Sequence, residues 1–353
     1  MAEISENIGS RFSGTSQFWA GCILTCAAFA ILLSIWTANE IGQPAPHNAY
    51  HKDASTTDVQ GDDLGLYRVI NARIWAGEDY YSAAISAQRE NGYPTKPFIT
   101  VRLPTLAWIG AWLGPVVMRI LLFVLAGFTL LIWAKRLEYA MRPIWQRVIA
   151  LCALASALIP CVTPDIYLMH EFWAGLLVAL SLGLYRVDNI WPAVAAAAAA
   201  LAMREMALPF VLLMTALSVL ERRWREAAVW TLLIALFAAA MVAHANKVNM
   251  LIDAGDLSSP GWSRFGGWPL AIRALILTGI AKLLLACSLF GWIGWHSETG
   301  LRGMLYLAGY SVLLMLFGRE QNYYWAFMVA PLSLMGLAFL PQAASDLWRS
   351  VRQ

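Results

Sequence analysis

Apolar runs recur along the chain near residues 17–36, 106–134, 148–160, 168–185, 227–245, 270–295, 303–318 and 324–341, with polar residues gathered between them. The hydrocarbon core of a bilayer, about 30 Å thick, is crossed by about 20 apolar residues in a helix, so these runs predict membrane spans. Residues 191–220, WPAVAAAAAALAMREMALPFVLLMTALSVL, fit either one long helix or two short ones broken at Arg204-Glu205 and Pro209.

Loop charge decides between them. Segments 134–147, 185–189, 221–226 and 348–352 are basic or mixed, which assigns them to the cytoplasm. A single crossing by 191–220 would put 185–189 and 221–226 on opposite sides, whereas a pair of short helices, crossing twice or dipping in and returning, keeps both inside. The expected fold is an all-α polytopic membrane protein, one domain over residues 1–353. It is a bundle of about ten transmembrane helices with both termini cytoplasmic. The outward loops are then 37–105, 161–167, the turn at Arg204-Glu205, 247–269 and 319–323.

Nearly every polar residue that is out of place in an apolar run falls on that outward face: Asp165, His170, Glu171, Arg204, Glu205, Arg319 and Glu320. A charge facing lipid at the bilayer centre costs roughly 2.5–3.5 kcal/mol on insertion scales, so such groups usually face one another or a wet cavity. His170 and Glu171, in HEFW at the lip of an apolar run, are accordingly expected to line an outward-facing polar pocket. Any single charged pair, read alone, is a structural salt bridge between helix ends; the convergence of several on one face argues for the pocket.

Composition agrees with a membrane chain. Of 353 residues, 59% are hydrophobic and 13% charged, against about 25% charged in a soluble domain. A net charge of +3 gives no reason to expect nucleic acid as a partner. Trp36, Trp75, Trp133, Trp191 and Trp268 are placed to sit at headgroup level. Cys22, Cys26, Cys152, Cys161 and Cys287 lie in or beside apolar runs, with no CxxC pair or metal-ligand spacing, and read as small buried hydrophobes. The run FWAGCILTCAAFAILLSIW follows Glu3, Glu6 and Arg11 rather than a basic cluster and precedes no small-residue cleavage site. It reads as a first membrane helix rather than a signal peptide. Lys282, inside an apolar run, reads as a snorkelling side chain.

Residues 37–105 form a sizeable hydrophilic segment with a Pro-rich, irregular start. Beyond it, Leu66, Tyr67, Ile70 and Ile74 recur at helical spacing, with Arg68, Asn71 and Arg73 on other sides. This predicts a short helix lying in the membrane interface, apolar side down, and ended by Gly77. Tyr80-Tyr81 opens a second such helix, ending near Gly92-Tyr93-Pro94. Asp62 and Asp63 stand immediately before the first helix, where Asp is a good N-cap. A carboxylate just above the membrane surface, beside a basic and aromatic-rich pocket, is equally what a membrane enzyme needs as a general base.

Asp63-Leu64-x-x-Tyr67, a short helix to Gly77 and then Asp79-Tyr80-Tyr81 resembles a pattern of the family 87 glycosyltransferases, D-hydrophobic-x-x-Y…G-x-x-Y after the first span. That family is a polyprenyl-phosphate-dependent branch of the GT-C superfamily and includes the phosphatidylinositol mannoside mannosyltransferases. There the loop runs on into an F-x-Y-P-P-like stretch; here Phe98-Ile99-Thr100-Val101-Arg102-Leu103-Pro104 keeps the Phe and a Pro and lacks the Tyr-Pro. By layout the resemblance covers most of the chain, and by motif residues 60–104, with softer echoes at His170-Glu171 and Arg204-Glu205. It implies a GT-C-like bundle in a bacterial-type inner (plasma) membrane with an extracytoplasmic active site. The activity it implies is that of an inverting hexosyl- or pentosyltransferase. The donor would be a polyprenyl-phosphate-linked sugar and the acceptor a glycolipid or glycan, with membrane lipids around it.

The motifs missing from the chain point the same way. There is no GxGxxG after a strand, no Walker loop and no Asp-x-Asp pair to hold a metal and a sugar nucleotide, so neither a metal nor a cofactor is expected. A phosphodiester leaving group departs as an anion without being protonated, so one carboxylate suffices. It deprotonates the acceptor hydroxyl for in-line attack at the anomeric carbon and inverts it, like the base of inverting glycoside chemistry. Asp63 is the first candidate, Asp62 the second and Asp58 the third, with Glu171 as an alternative base. Arginine suits the departing phosphate through bidentate hydrogen bonding; the candidates are Arg204, Arg319 and Arg264. Glu205 and Glu320 would orient the arginines, while Tyr67, His170 and Glu171 hold the sugar or act in a relay around the base.

Two rival readings remain. A lipid or solute transporter or flippase would also carry paired charges in a polar cavity among broken helices; an internal repeat would mark it, and none is visible. A non-catalytic membrane subunit would use the charged pairs to hold its helices together.

Overall fold

The computed structural model of the protein describes residues 63–141, 143–259, 281–317 and 320–352. The expected first span, Trp36, Trp268, Cys22, Cys26 and the side chain of Lys282 lie outside the described residues. The architecture is all-helical: among the described residues there is no β-strand, and an isolated bridge joins Lys96 to Ser258.

Two short helices form an outer platform, α1 (Asp63–Trp75) and α2 (Tyr80–Glu90). Gly77 follows α1 at φ +96°, the left-handed conformation that glycine adopts at little cost at a helix end. Asp79 caps α2, its carboxylate accepting the backbone N–H of Tyr81 at 3.0 Å and of Ser82 at 3.2 Å. Both helices fall where the periodicity puts them. Their apolar face does not point to lipid as expected. Leu66, Tyr67 and Ile70 are buried against Ala84, Ile85, Val101, Ala107, Leu168 and Val248, because neighbouring protein covers the stripe that a bilayer would otherwise have to accept.

Polar contacts fasten the platform to the end of a long helix, α8 (Trp224–Asn249), and the loop after it. Arg89 pairs with Asp256 at 2.6 Å, Thr95 donates to Asp256 at 3.0 Å and Lys96 donates to the Ala254 carbonyl at 3.0 Å. His244 of α8 places Nε2 3.1 Å from the Val101 carbonyl and Nδ1 3.3 Å from the Tyr81 hydroxyl.

The bundle begins with α3 (Thr105–Ala140), which is broken at Gly114 (φ 77°, ψ 166°) immediately before Pro115. Proline removes one helical donor and crowds the preceding turn, and glycine accepts the resulting geometry. There follow α4 (Ile144–Ser156), α5 (His170–Leu184), α6 (Trp191–Met203), α7 (Leu208–Leu220), α8, α9 (Ala281–Gly291), α10 (Glu298–Phe317), α11 (Ala330–Ser333) and α12 (Leu340–Arg352). Every residue of α5 from His170 to Gly183 is buried, so this helix is the axis of the bundle. Gly175 permits that enclosure: a Cβ there would lie 2.1 Å from the Phe327 carbonyl oxygen.

Residues 191–220 form two short helices, as loop charge requires. Arg204 is extended (φ −155°, ψ 125°), a 3-10 turn spans Glu205–Ala207, and Pro209 sits in the first turn of α7 where its missing N–H costs nothing. The expected cytoplasmic segments meet at one end of the bundle: Arg136 donates to the Tyr185 carbonyl at 2.8 Å, and Arg223 to the Tyr185 hydroxyl at 2.9 Å.

The run 324–341 is not the expected continuous span. It is a 3-10 stretch, Glu320–Met328, then α11, then a 3-10 stretch, Met335–Phe339, leading into α12. Pro331 opens α11, and Gly336 presses against α9 so closely that a Cβ would lie 2.0 Å from the Ser288 carbonyl oxygen, a contact suited to the narrower 3-10 winding.

Among the described residues two stretches, Phe98–Ala140 and Trp224–Asn249, are long and apolar enough to cross a membrane. Helices α4 to α7 are apolar but hold 13 to 15 residues each. Large apolar side chains stand exposed along α3 and α8, among them Val116, Leu131, Leu236 and Val242. Trp75 and Trp191 are exposed, whereas Trp133 is wholly buried and donates to the Ala179 carbonyl at 3.0 Å, so its position at the end of a run reflects packing. Cys161 is buried as expected, but Cys152 lies on the outer face of α4 and is exposed.

Candidate functional site

Asp63 opens α1 and Tyr67 stands one turn on, which puts both on one face of the helix. Against that face lies Arg102, from the stretch between the 3-10 turn Phe98–Thr100 and α3. Its Nε donates to the Tyr67 hydroxyl at 3.0 Å and one Nη to the Tyr324 hydroxyl at 3.4 Å. The Asp63 carboxylate accepts hydrogen bonds from Tyr324 and Tyr93, so Asp63 and Arg102 share a phenol. Asp79 caps α2, whereas Asp63 faces the cluster.

Asp63 keeps partial exposure, yet protein encloses it enough for burial to push its carboxyl above the ordinary 3.8. The positive charge of Arg102 pulls the other way, and the negative charge of Glu171 adds to the rise. Burial also raises the Tyr67 phenol to about 12, so at neutral pH it is an uncharged hydroxyl beside the guanidinium.

The deeper half of the cluster comes from α5 and the turn between α6 and α7. Arg204 Nε lies 2.8 Å from Glu171, its Nη1 contacts Glu205, and Arg102 stands 3.8 Å from Glu171. Arg204 is 2% exposed and Glu171 0%. Tyr310 donates to the Met206 carbonyl at 2.9 Å and pins the turn that carries Arg204 and Glu205. His170 is buried, its ring edge-on to Tyr67 at 5.0 Å between centroids.

Six of the sequence candidates thus come together from distant parts of the chain: Asp63, Tyr67, His170, Glu171, Arg204 and Glu205. Asp165 does not join them; it pairs with Arg68 at 2.6 Å on the partly exposed rim. Asp58, Asp62, Arg264, Arg319 and the side chain of Glu320 lie outside the described residues. The sequence reading passed over Arg102, Tyr93 and Tyr324. A signal for Arg102 existed, a lone arginine in the stretch FITVRLP just before an apolar run. For the tyrosines there was none: Tyr93 stands between a glycine and a proline at a helix end, and Tyr324 is one of several adjacent aromatic residues.

A second charged cluster closes the opposite end of α5, about 22 Å away at 1.5 Å per residue. Arg302, 0% exposed, lies 4.4 Å over the Tyr185 ring and 2.6 Å from Glu221. The Tyr185 hydroxyl donates to Glu226 at 2.8 Å and accepts from Arg302 at 3.0 Å, and Arg223 pairs with Glu298. Three arginines here, counting Arg136, face three glutamates, so this end balances its own charge.

Among the described residues, no three His, Cys, Asp or Glu side chains converge as a metal site. Comparison with protein-family models, with curated proteins and with solved structures found no match to this chain.

Proposed function

We propose that the protein is an integral membrane glycosyltransferase of the GT-C type, a bundle of about ten spans whose site opens on the extracytoplasmic face. In this reading it is inverting, and it moves a sugar from a polyprenyl-phosphate donor to a lipid or glycan acceptor. The observation that carries the reading is the meeting of a carboxylate of raised affinity for protons, Asp63, with the Arg102 guanidinium at the mouth of a buried charged cluster. The exposed apolar flanks of α3 and α8 suit a lipid environment, where such residues cost nothing.

Asp63 acts as the general base. The acceptor hydroxyl oxygen attacks the anomeric carbon, its proton passes to the Asp63 carboxylate, and the bond from that carbon to the phosphate oxygen breaks. The electron pair leaves with the polyprenyl phosphate. A base whose affinity for protons is raised by burial is better matched to a hydroxyl than an ordinary carboxylate. The phosphate falls to Arg102 rather than Arg204. Arg204 is already held in close ion pairs by Glu171 and Glu205, whereas Arg102 hydrogen-bonds phenol oxygens and approaches the Glu171 carboxylate only to 3.8 Å.

The test is sugar transfer from a radiolabelled polyprenyl-phosphate sugar by purified protein in proteoliposomes. Asp63→Asn is expected to lower kcat at least about 100-fold, the lower end of general-base catalysis, with normal expression. Arg102→Lys is expected to raise the donor KM. Full turnover by Asp63→Asn, or movement of lipid across the vesicle without transfer, would overturn the assignment.

A further inference from the structure

His170 differs from its neighbours in what its polar edge meets. It is the first residue of α5, 4% exposed, and neither Nδ1 nor Nε2 has a hydrogen-bond partner. The Leu168 carbonyl lies within electrostatic reach of the ring and meets neither nitrogen in hydrogen-bonding geometry. A carbonyl in any case only accepts. A neutral imidazole has one nitrogen that donates and one that accepts, so the accepting nitrogen has no donor among the described residues. Among the described residues the other ionisable groups at this depth each have an ionic or hydrogen-bonding partner: Glu171 lies 2.8 Å from Arg204 as an ion pair without hydrogen-bonding geometry, Arg204 donates to Glu205, and Tyr67 accepts from Arg102. A buried, unpaired polar edge carries a desolvation penalty that a purely structural side chain would not retain.

The missing partner can be typed by charge. An anion would only accept hydrogen bonds and would leave the accepting nitrogen bare. An ammonium-type cation only donates and would leave the ring N–H without a partner of its own, and the charges acting on the ring, Glu171 against Arg102 and Arg204, oppose one another rather than select an ion. A hydroxyl group both donates and accepts, and adjacent hydroxyls on a ring can serve both nitrogens. Tyr67, edge-on to His170, offers such a ring an apolar wall.

We infer that His170 is the recognition residue for a neutral, polyhydroxylated ring, its two nitrogens exchanging hydrogen bonds with hydroxyls of the donor's sugar. The inference rests on the transferase reading for the word donor, and on the unpaired imidazole for the rest. It also sets a specificity: a sugar that carries a carboxylate near these hydroxyls should be rejected by Glu171 beside it.

Two measurements on the purified full-length protein test it. First, His170→Leu removes the unpaired edge, so without ligand it should melt about 2 °C or more above the wild type; melting no higher than the wild type overturns the inference. Second, polyprenyl-phosphate mannose, glucose and arabinose are compared with bare polyprenyl phosphate as stabilisers. In the wild type at least one sugar lipid should raise the melting temperature beyond the bare lipid. His170→Leu should abolish that difference, and His170→Gln, which keeps a donor and an acceptor, should restore part of it. The inference falls if the bare lipid stabilises as well as every sugar lipid, or if His170→Leu keeps the difference. A wild type that binds a sugar lipid in this way but transfers nothing refutes the transferase reading and leaves His170 its role. A wild type that transfers sugar with the same donor KM after His170→Leu refutes the role and leaves the transferase.

Discussion

Removing Glu171 and Arg204 together should cost far less than the sum of removing each alone. Their contact is 2.8 Å, with Arg204 2% exposed and Glu171 0%. At an effective dielectric constant of about 20, that separation corresponds to roughly 6 kcal/mol of gross attraction. Desolvating the two ions offsets most of it, at several kcal/mol each. Glu171→Leu forfeits the attraction and leaves the Arg204 charge buried with Glu205 as its remaining partner, so the expected loss is about 3 kcal/mol, the lower end for a broken buried pair. Arg204→Leu leaves Glu171, at full burial, with Arg102 at 3.8 Å as its remaining ionic partner and lies nearer the upper end, about 5 kcal/mol. The double variant leaves only Glu205, itself 13% exposed, and should be more stable than the sum of the two losses by at least about 2 kcal/mol. Thermal melts of the four proteins in one detergent read this out, since a kcal/mol moves the midpoint by about 1–2 °C in a chain of 353 residues. Single variants within 2 °C of the wild type, roughly 1.5 kcal/mol, or strictly additive losses, would show that the contact is not the buried ion pair described.

Asp63 supplies a prediction in pH. Burial raises its carboxyl above 3.8 in the folded protein. Protonated Asp63 therefore favours folding at pH below the ordinary value, and that contribution is lost as pH rises through the raised folded value. Asp63→Asn should remove this component from melting temperature plotted against pH, while in the wild type the acid limb of kcat/KM should fall at a pH above 3.8, where the base gains its proton. Gly175→Ala should cost about 1–3 kcal/mol or prevent folding, because the new methyl meets the Phe327 carbonyl, as melts or expression will show. Tyr185→Phe deletes a hydroxyl shared by Glu226, Arg223 and Arg302 and should cost about 1–3 kcal/mol in melts. Its donor KM should not change, since the site lies at the other end of α5.

How much of this was legible in the sequence follows from what each signal measures. The breaks at Gly77 and at Arg204-Glu205 with Pro209 were readable, because glycine and proline restrict the backbone locally whatever surrounds them. The company kept by His170, Glu171, Arg204 and Glu205 was readable too, because ionised groups in apolar runs have few acceptable places. What packs on what was not. The stripe of Leu66, Tyr67 and Ile70 announces a face to be covered without saying whether lipid or protein covers it, and protein does. Trp133 carries the same ambiguity. The phenols that hold Asp63 were hidden for a third reason: Tyr93 and Tyr324 lie far apart in the chain, and nothing local in either marks a hydrogen bond across such a separation.

The enclosure of α5 restricts any visitor that arrives on a lipid. A molecule lodged next to His170 is enclosed by α3, α6, α10 and the 3-10 stretch Glu320–Met328, all of which pack against this helix. In the transferase reading proposed above, the head group alone is held at that depth and the hydrocarbon tail trails outside this wall. Turnover should therefore be nearly indifferent to how many isoprene units the tail carries, while a single altered stereocentre on the head should matter greatly.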